Sequence, residues 1–253
     1  MNKIRISPPI AALVLAVVLF LLSGLLPNGF GSDTSIAVAQ ASNILRLAVF
    51  LGVIAAGQTL VIISGSEGID LSAGSVVTLT AILTYVIVNG NDSMVLPALL
   101  VALIVGAIVG LLNGIGVTFL KISPFVMTLG MAGVITGLII IVNHGNVSGN
   151  VAPIMTRLIA RPWFLGIPGA LIIWIFFGVL MWLLLERTSF GKNLFAIGVN
   201  RVTAKLSGVK VTHMVLSTYA LAGLLAGFGG FLVVGNTGVV FISLGNPVGK
   251  INK

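Results

Sequence analysis

Glu67 and Asp70 are two of only five carboxylates in the chain, and both stand in Ser64-Gly-Ser-Glu-Gly-Ile-Asp-Leu-Ser-Ala-Gly-Ser75, a segment that interrupts two long apolar runs. An acidic group inside a membrane serves ion coupling or solute contact, or it satisfies nearby backbone donors. Asp70 is placed to cap the helix that follows, accepting from N–H groups of its first turn. Asn113 in Leu112-Asn-Gly and Thr128 in Pro124-Phe-Val-Met-Thr-Leu-Gly130 are polar groups at or inside apolar helices, where they are expected to bond across to a neighbour. Asp70, Ser72, Asn113 and Thr128 are therefore the candidates for a translocation path or gate, with capping and helix-to-helix bonding as the simpler roles. Non-helical backbone near a membrane is tolerated only where protein or water satisfies it, so residues 64–75 line a cavity or an interface.

No chemistry of bond making is legible. The absence of Cys excludes disulfides, thiolate metal sites and a cysteine nucleophile. There is no G-x-x-x-x-G-K-[ST] loop, no H-E-x-x-H and no pair of carboxylates deep in an apolar run. His144 and His213 fall at the ends of apolar runs, where a solvated role outweighs a proton relay. We therefore expect no enzyme, no catalytic residue, no metal and no cofactor.

The elements that must position the polar groups are unmistakably membrane helices. Hydrophobic residues make up 58% of the 253 and charged ones 7%, where an ordinary soluble domain has roughly 45–50% and about 25%. Seven apolar runs are long enough to cross a bilayer: Ile10 to Leu26, Ile44 to Ile63, Leu71 to Val88, Val95 to Leu112, Phe125 to Val142, Ala170 to Leu185 and Met214 to Val234. The fold class is an all-α polytopic bundle of about seven spans, with a broken-helix segment near 64–75; the two spans around it are either separate helices or one helix broken at depth. The N-terminal run resembles a signal peptide, but further spans follow it, so it reads as an uncleaved first helix. Pro124 begins the fifth span at a position where proline sacrifices no hydrogen bond. Gly106, Gly110 and Gly114, Gly133 and Gly137, and Gly223 and Gly227 recur at four-residue spacing, which lets helix backbones approach closely.

The net charge of +8 serves topology rather than nucleic-acid binding. With Lys3 and Arg5 inside, alternation puts Lys121, Arg187, Lys192, Arg201, Lys205 and Lys210 inside too, so eight of the thirteen basic residues face the cytoplasm. Arg157 and Arg161 fall outside, between residues 143 and 169, where Pro153, Pro162 and Pro168 break any long helix. The polar stretch from Glu186 to His213 carries a short basic helix: Asn200 is a good N-cap, Arg201 to Ser207 makes about two turns, and Gly208 is a natural stop. Val202 and Leu206 share one face of it. Resting on anionic headgroups is one use for such a helix, and docking into a cytoplasmic partner suits its compactness better.

Taken together, these segments resemble the permease subunits of bacterial monosaccharide ATP-binding-cassette importers of the ribose, xylose and autoinducer-2 type. Gly57-Gln-Thr-Leu-Val-Ile-Ile-Ser-Gly65 with Gly68-Ile-Asp-Leu-Ser-Ala-Gly-Ser75 is similar to the family's best-known signature, and Leu112-Asn-Gly with Pro124 to Gly130 matches a second. Phe190-Gly-Lys-Asn-Leu-Phe-Ala-Ile-Gly-Val-Asn200 with Ala204-Lys-Leu-Ser-Gly208 resembles the loop through which such permeases contact the ATPase. The resemblance implies ATPase-coupling roles for Phe190, Gly191, Ala196, Gly198, Asn200, Val202, Ala204, Leu206 and Gly208. It also implies alternating access in an inner membrane, with an ATPase subunit, a second permease copy or paralogue, an extracytoplasmic solute-binding protein and the lipid bilayer as partners, and no nucleic acid. Ser66-Glu67 departs from the family's plainer glycine pair, and the family's further helices lead us to expect a C-terminally shortened permease. We expect one permease domain over 1–253, with a cytoplasmic N-terminus (1–9), a coupling loop (186–213) and an irregular tail (235–253). An ion-coupled secondary transporter is the alternative, with Glu67 and Asp70 as its candidate coupling groups, and a membrane enzyme a distant third.

Overall fold

The computed structural model describes residues 7–26, 29, 31, 33–65, 68–143, 147–164 and 167–238. Lys3, Arg5, Ser66, Glu67, His144 and the tail beyond Gly238 lie outside the described residues, as do the expectations placed on them. The chain forms two compact units, 1–48 and 49–253.

In the first unit, α1 (Pro8–Ser23) opens with two prolines, whose fixed φ suits the first helical turn. Helix α2 (Thr34–Ile63) starts here and continues into the second unit. Asp33 caps its start, its Oδ1 accepting from Ser35 N at 2.8 Å and Ser35 Oγ at 2.7 Å. These bonds, led by the Ser35 hydroxyl, hold the exposed Asp33 carboxyl below its ordinary range. Gln40 Nε2 donates to Ser23 Oγ at 3.4 Å, joining the two helices of this unit.

The second unit is built around its last helix. The helices are α3 (Ala73–Val88), α4 (Val95–Thr118), α5 (Pro124–Asn143), α6 (Pro153–Ile159), α7 (Gly169–Arg187), α8 (Ser189–Val199), α9 (Arg201–Leu206) and α10 (Val211–Thr237). Helix α10 runs antiparallel to α4, and glycines on both set the approach. A Cβ on Gly106 would strike the Gly223 carbonyl, one on Gly110 the Tyr219 carbonyl, and one on Gly227 the Ala102 carbonyl. Gly230 lies against Val77 and Thr80 of α3, and a Cβ on Gly57 of α2 would stand 3.1 Å from Ala222 Cα. The prediction of close helix packing holds for these glycines. It fails for Gly133 and Gly137, where an added Cβ would meet no neighbouring helix within 4 Å, because α5 turns that side away from the bundle. Helix α5 packs instead through Ile135 and Ile139, against Val76, Ile82 and Val109. On another side of α10, Phe177 of α7 stacks on Phe228 at 4.6 Å.

Each of the seven predicted apolar runs is a helix. Five are long and apolar enough to span: α2, α4 with the 3₁₀ turn Asp92–Met94 before it, α5, α7 and α10. Two are shorter, Ile10–Ser23 and Ala73–Val88. The 16 residues of α3 rise about 24 Å, less than the roughly 30 Å hydrocarbon core. Helix α2 ends at Ile63 and α3 begins at Ala73, and the described residues between them are non-helical, as expected of the segment near 64–75. Helix α10 reaches Thr237, so the irregular tail cannot begin at residue 235. The three prolines after α5 behave as expected: Pro153 starts the seven-residue α6, and Pro162 and Pro168 sit in a short antiparallel ladder, β1 (Pro162–Phe164) with β2 (Ile167–Pro168).

Candidate functional site

The four path candidates meet at one place. Residues 68–72, between α2 and α3, are non-helical up to a turn at 71–72 and alternate in burial, with Gly68, Asp70 and Ser72 buried and Ile69 and Leu71 exposed. Four helices hold this strip. Gln58 of α2 donates Nε2–H to the Asp70 carbonyl at 2.9 Å. Thr128 of α5 accepts from Leu71 N at 3.0 Å and donates to Pro124 O at 2.8 Å. The Tyr219 hydroxyl of α10 donates to Ile69 O at 3.5 Å. Asn113 of α4 donates from Nδ2 to Ser72 Oγ at 2.8 Å, and Ser72 Oγ donates to Asp70 Oδ1 at 2.6 Å.

Asp70 does not cap the first turn of α3 as the sequence suggested. Its Oδ1 accepts from the N–H of Ser72 itself, at 2.9 Å, forming a turn one step before the helix. Ser72 already has helical φ and ψ and makes no side-chain cap, because its hydroxyl is committed to Asp70. Asp70 is 6% exposed and Ser72, Asn113 and Thr128 are 0% exposed, so in this conformation no solute can reach the last three. Asn113 Oδ1 is buried without a partner among the described residues. Bonding between helices, the simpler role, is what the geometry displays.

The second predicted site is an elbow of two short helices after α7. Thr188 caps α8, accepting from Gly191 N at 3.3 Å, and Asn200 caps α9, accepting from Val202 N at 2.9 Å and Thr203 N at 3.0 Å. Gly208 stops α9 in the left-handed region, with φ of 87°. Asn200 and Gly208 thus act as expected. The nine coupling candidates divide into two groups. Gly191 and Ala204 are buried and Phe190 packs on the core, so they seat the elbow. Ala196, Gly198, Asn200, Val202, Leu206 and Gly208 are exposed. Val199 at 87%, Leu206 at 84% and Val202 at 69% present bare apolar surface on a helix pair rigidly capped at both starts.

Sequence reasoning missed Arg201. Its Nη2 donates to Ser64 O at 3.2 Å and to Gly65 O at 3.5 Å, the last carbonyls of the α2 end. Burial lowers the pKa of this guanidinium, the neighbouring Tyr219 acting weakly the other way. A left-handed glycine ending a helix does signal carbonyls in need of a donor, but nothing in the chain order places residue 201 beside residue 64. Arg201 also lines an open cleft of about 650 Å³ with Lys205 and Lys210.

Residues 40–250 match the profile of a family described as branched-chain amino acid transport system / permease component. Among curated proteins, the chain is 38% identical over 193 residues to the ribose import permease protein of Bacillus subtilis, covering 76% of this chain and 59% of that protein. It is 33% identical over 236 residues to the galactose/methyl galactoside import permease protein of Escherichia coli K12, covering 85% of this chain and 69% of that one. The Escherichia coli K12 ribose import permease protein is 31% identical over 233 residues, covering 88% and 67%. No solved structure matches.

Proposed function

This chain belongs to that permease family, and on that premise we propose that it is the membrane-spanning subunit of an ATP-binding-cassette importer for a small sugar. The relatives that support the sugar class are named for ribose and galactose. The observation that carries the rest is the elbow: Val199, Val202 and Leu206 lie bare on two capped helices. A lone membrane subunit has no use for such a surface in water, whereas a cytoplasmic ATPase docked on it would bury it. The cations of Lys205 and Lys210 beside it suit an acidic rim on that subunit. Hydrolysis belongs to the docked subunit, an extracytoplasmic binding protein delivers solute, and a second permease copy or paralogue completes the path by alternating access.

Val202→Asp with Leu206→Asp tests the docking. In the assembly with its ATPase and binding protein, solute-stimulated hydrolysis should be lost while the bundle stays folded, because neither side chain is in the core. Solute-stimulated hydrolysis at the unaltered level would refute the docking face. Offering a monosaccharide panel and a branched-chain amino acid panel to the unaltered assembly decides the solute class.

The elbow faces the cytoplasm in this reading, and the residue 150 region faces outward. The fold keeps these apart: Gly90 N donates to Asn150 O and Ile154 N to Asp92 Oδ1 at one end, while Arg201 meets Ser64 at the other. Because the chain lacks Cys, single cysteines at Asn150 and Ser207 report sidedness directly. An impermeant thiol reagent added outside should label the first and spare the second; the reverse pattern would invert the topology. The ion-coupled alternative finds no support, since Asp70 is committed to Ser72 by two hydrogen bonds.

A further inference from the structure

We propose that Arg201 is a positioning residue that ties the elbow to the strip between α2 and α3, so that movement of α9 is delivered to residues 68–72. The inference rests on the importer reading above and names the link inside it.

A helix end leaves carbonyls without intrahelical donors and carries partial negative charge, which a cation relieves. Gly65, with φ of 69°, ends α2 in the left-handed region, and the Ser64 and Gly65 carbonyls are the ones that Arg201 Nη2 engages. The guanidinium is half-buried, and among the described residues its hydrogen bonds go to these two backbone carbonyls while Nε has no partner. Beside this bond the two backbones touch. A Cβ on Gly198 would collide with the Ile63 carbonyl, and one on Gly65 would stand 3.1 Å from Gly198 Cα. Such a contact has no soft side chain to absorb a shift.

Three residues further along the chain from Gly65, at Gly68, begins the strip bonded to α2, α4, α5 and α10 through Gln58, Asn113, Thr128 and Tyr219. Arg201 therefore joins the surface offered to the ATPase with a strip on which four helices converge. Lys205 and Lys210, exposed and lining the same cleft, show no such bond to α2 among the described residues and serve as the internal contrast.

Adjacency alone is not coupling, so the test reads movement. The probe is a single cysteine at Leu71, which is 42% exposed on the strip, in vesicles holding the complete transporter with its ATPase and binding protein. Maleimide labelling is measured without nucleotide and with ATP plus vanadate, alongside solute uptake per ATP hydrolysed. With Arg201 present, labelling should change several-fold between the two states. In R201Q that change should vanish and uptake per ATP fall about tenfold, within the range that coupling residues show, while the ATPase stays bound and basal hydrolysis persists. R201K, keeping the charge without the fork, should recover part of both. Should R201Q fail to fold, the same comparison is made on R201K alone. Nucleotide-dependent labelling and uptake per ATP unchanged in R201Q would overturn the proposal, as would release of the ATPase, which would make Arg201 a docking contact. If the unaltered assembly shows no ATP-driven uptake, the importer reading fails instead, and the labelling still reports whether Arg201 links elbow and strip.

Discussion

Helices α10 and α5 carry glycines at similar spacing and meet opposite surroundings. On α10, 72% of the most apolar stretch is buried within the chain, and Gly223, Gly227 and Gly230 each lie where a Cβ would strike another helix. On α5 the figure is 17%, and Gly130, Gly133 and Gly137 have nothing within 4 Å. Small-residue spacing thus permits close approach without saying that any helix approaches. In lipid, where apolar surface alone drives no association, the difference is made by which helix happens to have neighbours on that side.

The strongest way to break this comparison is Gly223→Leu. Its Cβ alone would collide with the Gly106 carbonyl, and backbone on both sides cannot yield as a side chain can. We expect a loss of at least about 3 kcal/mol, at the upper end of ordinary overpacking, measured as detergent-solubilised unfolding. Near-native stability would mean that α4 and α10 are not locked as described.

A smaller effect is expected at the foot of the same packed helices. Ser72→Ala removes the hydroxyl that both accepts from Asn113 and donates to Asp70, leaving two buried groups short of a partner. The cost should be about 2 kcal/mol, read in the same unfolding assay. An unaffected melting curve would show that water replaces the hydroxyl and that the strip is not held from α4.

The smallest effect, and of opposite sign, belongs to Gly133→Ala. A methyl in open space on a helix should stabilise by up to about 1 kcal/mol through helix propensity alone. Extending the series to Gly133→Leu sharpens the contrast. If that variant harms the assembled transporter as Gly223→Leu harms the chain, another subunit covers α5.

The apolar helices and the short basic helix were legible, though α6 and α8 were not, and several punctuation marks were legible too. Pro124 begins α5, Asn200 caps α9 and Gly208 stops it, because each is a local demand of backbone geometry. Asp70, Ser72, Asn113 and Thr128 could be singled out as polar groups in apolar surroundings, and they do converge. What they do there was only half legible. Asp70 was expected to serve the first turn of α3, and the competition it lost was to Ser72, whose own hydroxyl and N–H lie closer. Asn113 and Thr128 needed partners, but 41 and 57 residues of chain separate them from Ser72 and Leu71.

By itself the sequence determined that this chain lives in a membrane, where its helices run and where they stop, because hydrophobicity and backbone conformation act over a few residues. Its tertiary structure alone decided which glycines are contacts, that α3 is cut short behind a non-helical strip, and that Arg201 reaches the end of α2. Those outcomes depend on side-chain reach and backbone collision between helices far apart in the chain, and neither is written in local composition.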